Sequence, residues 1–432
     1  MSLENKKLII LGGNYETAVL VEKANTLGIY TIVIDPNPHA PSKTFACESY
    51  NIDGFDIPKI VEVAKKIKVD GVLVGVADIL VSSYQRICQE LNLPCYASEK
   101  IADAFCSKDG FKKACKEFGV KDIPGFYVSQ IEELKEIVNI SYPVMVKPVD
   151  NGAGVGMRVC DSEFELNSCV QTSLSYSKKG GVLVEQYMDC DDIFAYYTFK
   201  DGEIFLSAIA DRITTKKQGQ FSPVCIGALY PSKYAKLFYE NVHPTLLPMF
   251  KGLKIMNGVL NIQFFVKDDI FYAYDPGFRL QGEAPHIPLK EINGFDHREM
   301  LLNFSLTGSM GVNDFENRND FLFKGKKACT LWVLLKGGEI HLLEGLDLIK
   351  NDPSVVFIQQ RLKKGDVISS EMVGSERQVL ARIYIVTNTY KGLAEKVKLF
   401  RSYLKIADLD GEDMVVDWLD IDLINAKQID SL

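Results

Sequence analysis

Histidine and tryptophan are scarce in this chain, five and two residues among 432. So few histidines, beside ten cysteines that never form a C-x-x-C pair, argue against a zinc site. The cysteines lie mostly among apolar neighbours and read as reduced, buried thiols of a cytoplasmic protein. No apolar run reaches the roughly 18–20 residues that a membrane span needs. The opening MSLENKKLIILGG passes straight from polar residues into a strand-like run, so no leader peptide is expected. Positive charge is in deficit too. Lysine and arginine number 49 against 57 acids, a net charge of −8, where a nucleic-acid binder carries a basic excess. That balance leaves room for a small anionic ligand in one local basic pocket. A G-x-G-x-x-G turn is also lacking. The first strand runs into GGNYET, and two glycines after a strand are weak support for any phosphate site.

What is present is a chain too long for one core, since cores stop growing near roughly 250–300 residues. Strands at 7–11, 30–34 and 71–76 alternate with helices at 15–27 and about 58–67, the pattern of a small parallel α/β domain. A helix at about 107–118 opens on Ser107 as its cap and closes at Gly119. A strand at 143–148, helical residues 161–176 and a strand at 182–186 follow. Strands then dominate: 194–199, 203–211, 223–229, 258–266, 270–275 and an alternating tail over 325–390. The polar stretch GSMGVNDFENRND near 310–325 reads as a hinge.

Three segments carry candidate chemistry. In PVMVKPVDNGAGVGM a buried-looking strand delivers Lys147 to a loop holding Gly152, Gly154 and Gly156. Such a loop can close its backbone N–H groups over phosphate oxygens, with the lysine adding charge. Taken alone, it is equally a glycine-rich hairpin with an exposed lysine. In VLVEQYMDCDD an apolar strand ends at Glu185, and Asp192 follows seven positions later. A strand end can offer backbone groups to a base, and a carboxylate can accept from ribose hydroxyls. In NIQFFVKDDIFYAYDPGFR two aromatic-rich strands flank a turn at Lys267-Asp268-Asp269. A three-residue loop would set Gln263 opposite Ala273 and Asn261 opposite Asp275, with Asn261, Gln263 and Asp275 on one face. A two-residue loop would move Asp275 to the other face. Oxygen donors converging there suit Mg²⁺, and Arg279 follows to stabilise a phosphoryl group.

The order of these segments resembles the ATP-grasp superfamily, most closely its biotin-carboxylase, carbamoyl-phosphate-synthase and amino-acid-ligase branch. The resemblance runs over about residues 5–310, and more loosely over the tail. It implies an α/β protein, α+β taken as a whole. A Rossmann-like parallel-sheet domain would span 1–105 and a two-lobed ATP-grasp domain 106–315, its glycine-rich lid at about 143–190. A small β-rich domain would span 316–432. By resemblance, Lys108 and Lys147 contact the nucleotide and residues 150–157 form the lid. Glu185, Gln186, Tyr187 and Met188 make the adenine hinge, and Asp192 is the ribose carboxylate. Gln263 and Asp275 fall where the family binds metal through two glutamates, Gly277 falls on its metal-binding asparagine, and Arg279 on its catalytic arginine.

The expected cofactors are ATP and Mg²⁺ or Mn²⁺. The expected reaction is ADP-forming ligation, in which a carboxylate becomes an acyl phosphate that an amine attacks. Small acids and amines are therefore the expected partners, with no nucleic acid and no membrane, in a homodimer. Arg212, Glu283 and His286 are candidate substrate contacts, Glu283 doubling as a substitute metal acid. Glutamine at 263, aspartate at 275 and glycine at 277 leave one carboxylate where the family has two. The alternatives are therefore a bicarbonate-using carboxylase or carbamoyl-phosphate-forming enzyme, and a nucleotide-binding protein with weakened catalysis.

Overall fold

A computed structural model describes residues 2–136, 141–150, 156–178, 180–215 and 223–429. The first sheet has four parallel strands, in the order Glu48–Tyr50, Tyr30–Ile34, Lys7–Leu11 and Gly71–Val74. Its inner strands are continuous apolar runs because helices cover both faces. Ile9, Ile10, Ile32, Val33 and Leu73 are fully buried. The Gly12-Gly13 turn has a packing reason. A Cβ on Gly13 would lie 2.4 Å from the Cβ of Ala40, so only glycine lets the turn pass. Asn14 then caps helix Tyr15–Thr26 by accepting from the Thr17 amide.

Helix Lys108–Phe118 begins and ends where expected. Ser107 accepts from the Gly110 amide, and Gly119 closes the helix at φ +71°. It leads to a small antiparallel sheet ordered Gly125–Val128, Val182–Gln186, Val144–Pro148 and Arg158–Cys160. Helix Glu163–Ser175 packs on it through Leu166, Cys169 and Val170, giving this lobe a core of its own.

The second lobe is an eight-stranded sheet. Its order is Ile270–Gly277, Gly258–Lys267, Asp191–Lys200, Glu203–Thr214, Cys225–Tyr230, Lys327–Leu334, Val379–Thr387 and Val355–Gln360. The last three strands come from the tail, so one sheet runs unbroken past residue 316. The strand-rich tail also holds helix Tyr390–Tyr403, a 3.6-period element that the strand reading passed over.

The hairpin corrects the expected register. Lys267 pairs with Ile270 across a two-residue turn, not a three-residue loop. Asp268 and Asp269 both have positive φ, 51° and 58°, as this tight turn requires. Phe264, not Gln263, therefore stands opposite Ala273. A bulge between Gln263 and Phe264 then absorbs Tyr274, and Gln263 faces Asp275 while Asn261 faces Gly277. The extra residue reverses the parity that the short turn had imposed, and the two metal candidates share a face after all.

Candidate active site

The small lobe supplies the first cation. Lys147 sits on Val144–Pro148, and its Nζ lies 2.7 Å from Glu185 Oε2. Glu185 is paired with Met145 on the neighbouring strand, which makes it the diagonal neighbour of Lys147 on one face. Its other oxygen meets Lys112 Nζ at 2.8 Å. Gly125 makes room, because a Cβ there would press on Glu185 Cγ at 2.7 Å. Burial alone would raise the Glu185 carboxyl, but Lys147 and Lys112 hold it below the ordinary range. Glu185 is thus an anchor for two lysines. The hinge amides of Gln186 and Tyr187 are also engaged, donating to the carbonyls of Pro124 and Pro143. The Met188 side chain is buried beside them.

The large sheet supplies the opposing wall. Lys147 Nζ lies 5.3 Å above the Tyr274 ring, so the lobes meet across the bulge. Asp275 is enclosed by charge. Burial raises its carboxyl, Lys108 and then Lys147 and Arg279 oppose that, and Asp78 adds to it. Lys108 occupies the first turn of its helix, where the dipole disfavours a cation. A phosphate held there would offset that cost. Arg279 donates to the Leu280 carbonyl at 2.7 Å and is ion-paired with Asp78. Lys108, Lys147 and Arg279 are therefore the cations whose charge reaches Asp275.

Other expectations change. Asp192 is not an open acceptor for ribose. It receives Arg212 Nη1 at 2.5 Å, and the Tyr274 hydroxyl lies 3.0 and 3.1 Å from its two oxygens. Burial pushes this carboxyl up to about 6, against the pull of Arg212. Arg212 is not an open anion receptor either, for its Nε donates to Glu283 Oε1 at 2.7 Å. Glu283 also accepts from Gln281, so its charge is committed to this network. His286 is 4% exposed, at the start of helix His286–Asn293, and its Nδ1 has no partner. Burial, reinforced by Arg298, keeps it well below the ordinary histidine value and neutral. It lines a narrow cavity with Glu16, Gln281, Arg298, Gln359 and Tyr384. Of the lid glycines, Gly156 is seen at φ +76°, packed on Pro148 and Tyr176. Gly152 and Gly154 lie outside the described residues.

Sequence reading missed Asp78, Lys112, Tyr274 and a buried knot at the junction of the units. Asp78 had one legible signal: it follows strand Gly71–Val74, and ligands of open parallel sheets gather at the carboxyl ends of strands. In the knot, Arg382 is fully buried, stacks on Trp332 at 3.8 Å, and pairs with Glu16 at 3.0 Å and Glu376 at 2.8 Å. Arg361 pairs with Glu16 as well.

The donors fit a hard divalent cation. Asp275 faces Gln263, and beside them Asn261 is 4% exposed with its Oδ1 unpartnered. A buried amide oxygen without a donor is one that a cation would satisfy. Among the described residues no group of three or more His, Cys, Asp or Glu could hold an ion. The nucleotide's phosphates would therefore share the ligation.

Residues 107–195 match the family model described as carbamoyl-phosphate synthase L chain, ATP binding domain. The formate-dependent phosphoribosylglycinamide formyltransferase of Bacillus velezensis is 28% identical over 187 residues, 42% of this chain and 48% of its own. The carbamoyl phosphate synthase large chain of Thermotoga petrophila is 24% identical over 266 residues, 60% of this chain and 24% of its own. The chain thus spans about half the length of the first of these relatives and a quarter of the second. Among solved structures, the L-amino acid ligase of Bacillus licheniformis superposes with a TM-score of 0.77 at 17% identity, covering 94% of this chain and 99% of its own. The phosphoribosylglycinamide synthetase of Anaerococcus prevotii gives 0.72 at 20%, covering 94% and 100%. The ATP-grasp resemblance is borne out, and the fold of this chain is the ATP-grasp fold.

Proposed function

We propose that this chain is an ADP-forming ligase that uses ATP to activate a carboxylate as an acyl phosphate for attack by an amine. The reading is supported by Lys147 lying 5.3 Å above the ring of Tyr274, next to Asp275, and by the charges of Lys108, Lys147 and Arg279 acting on Asp275. These are groups that hold and neutralise a triphosphate, and phosphoryl transfer asks mainly for positioning and charge.

Lys108 and Lys147 bind phosphate oxygens of ATP, Lys147 exchanging its contact with Glu185 for one to the nucleotide. Gln263, Asp275 and Asn261 would hold Mg²⁺ or Mn²⁺, which supplies charge neutralisation at the phosphates. A carboxylate oxygen of the substrate attacks the γ-phosphorus, the bond to the bridging oxygen breaks, and ADP leaves. Arg279 stabilises charge on the phosphoryl group in flight. The amine then attacks the acyl carbon, the C–O bond to phosphate breaks, and phosphate departs. The amine gives up a proton to water as the phosphate leaves. The unpartnered Oδ1 of Asn261 favours an active site over weakened catalysis, because it adds an oxygen donor to Gln263 and Asp275.

The experiment follows ADP and phosphate release over a panel of acids and amines with Mg²⁺ or Mn²⁺, hydroxylamine trapping the acyl phosphate. Expected are acid-dependent hydroxamate and loss of turnover in Asp275→Asn. Turnover with bicarbonate and no organic acid would transfer the chain to the carboxylating reaction. Tight ATP binding with no turnover under any pairing would refute the ligase reading. Homodimerisation, a further part of the reading, is tested by mass photometry.

A further inference from the structure

Several polar atoms without partners belong to residues around Gly277. Asp78 Oδ1, Asn261 Oδ1, the Tyr196 hydroxyl and Arg279 Nε are all buried and unpaired. Buried polar groups are normally satisfied, so several together mark the contacts of a missing ligand. They come from different elements but from one place. Asn261 stands across from Tyr196 on one side and from Gly277 on the other. It shares its face with Gln263, which stands across from Asp275. A Cβ on Gly277 would lie 2.9 Å from Asp78 Oδ1. The space beside the bare Gly277 backbone is therefore occupied by a carboxylate delivered from the loop after strand Gly71–Val74, in a different sheet.

Asp78 spends only half of its carboxylate. Oδ2 pairs with Arg279, while Oδ1 abuts Gly277 with no donor. Arg–carboxylate pairs are frequently bidentate, and this one uses a single oxygen and leaves the other buried. The side chain as a whole is one-third exposed, while Oδ1 is buried. Two carboxylates and two amide oxygens form the hard donor set that suits Mg²⁺ or Mn²⁺, with nucleotide phosphates filling the remaining positions.

We propose that Asp78 completes the divalent-cation site through Oδ1, acting with Asp275, Gln263 and Asn261 in the position left by the glycine at 277. The proposal rests on the nucleotide site described above. It gives that site a feature of its own: a cation there would be held by residues of both the first domain, Asp78, and the hairpin, Asp275 and Gln263.

The test uses the full chain with a non-hydrolysable ATP analogue and follows Mn²⁺ by electron paramagnetic resonance. Asp78→Asn is expected to weaken Mn²⁺ binding about tenfold or more in the nucleotide complex. Asp78→Cys is expected to show a Cd²⁺–thiolate charge-transfer band in excess of that given by the ten free cysteines of the unaltered protein, and dependent on the nucleotide analogue, which a residue acting only through Arg279 does not produce. Near-ultraviolet circular dichroism establishes that both variants are folded. Wild-type Mn²⁺ affinity in folded Asp78→Asn, or a folded Asp78→Cys whose Cd²⁺ band does not exceed that of the unaltered protein, would overturn the role of Asp78 and leave the ligase reading intact. Failure of the unaltered protein to bind the analogue would instead remove the nucleotide site itself, and this proposal with it.

Discussion

Replacing Glu185 by glutamine tests the construction of the small lobe. Glu185 is 3% exposed and is the shared counter-ion of Lys147, at 2.7 Å, and Lys112, at 2.8 Å. Removing one partner of a buried pair costs about 3–5 kcal/mol, because it strands the other charge in low dielectric. Lys112 has Asp122 in reserve at 2.9 Å, and its side chain is 19% exposed, so most of the cost falls on Lys147. The expected loss is therefore near the lower end, about 3 kcal/mol. It should be local to the small sheet, read as faster hydrogen exchange of amides in Val144–Pro148 and Val182–Gln186. ATP would supply the missing negative charge to Lys147. The variant should consequently gain more protection from ATP than the unaltered protein does. Unchanged exchange in Glu185→Gln would refute the counter-ion argument. A normal loss with no extra recovery on ATP would refute the assignment of Lys147 to the phosphates.

Asp192 should titrate with a midpoint near pH 6, measured by carbon-13 shifts of its carboxyl. Its folded pKa lies above the unfolded value, so the contribution to stability is full below about pH 4 and is lost as pH rises through 6, about 3 kcal/mol in all. Asp192→Asn should flatten that part of the stability–pH curve. Arg382→Met should lower stability by about 1–3 kcal/mol in urea unfolding, because Glu16 keeps Arg361 and Glu376 is partly exposed, leaving the lost hydrogen bonds as the main cost. Arg279→Lys should reduce kcat by about a hundredfold or more with a small change in ATP affinity, since a point charge cannot reproduce a guanidinium aimed at the phosphoryl group.

The hairpin marks how far pattern reading reaches. Alternation showed that Gln263 and Asp275 stood on one face, but by way of a register the protein does not use. A tight Asp268-Asp269 turn and a bulge at Tyr274 each shift parity by one, and the two shifts cancel. Neither is visible in hydrophobic period, because turn length and bulge are chosen by twist and by the contacts of Tyr274 with Asp192 and Lys147. Asp192 and Arg212 show the opposite failure. As residues they were candidates for ribose and substrate, and only burial beside Glu283 turns them into partners of each other.

The sequence by itself determined the first α/β elements and the order of the segments that carry the candidate chemistry. Apolar runs, caps such as Ser107 and stops such as Gly119 act within a few residues, and so do the strands that present Lys147, Gln263 and Asp275. Tertiary structure alone decided which charges are free and which are spent. Glu185 became an anchor, Asp192 a buried acid, and Asp78, about two hundred residues from Arg279, a neighbour of the hairpin. The reason is physical: helix and strand patterns follow from local geometry, whereas the state of an ionisable group is set by its desolvation and by whichever charges the fold brings within a few ångströms.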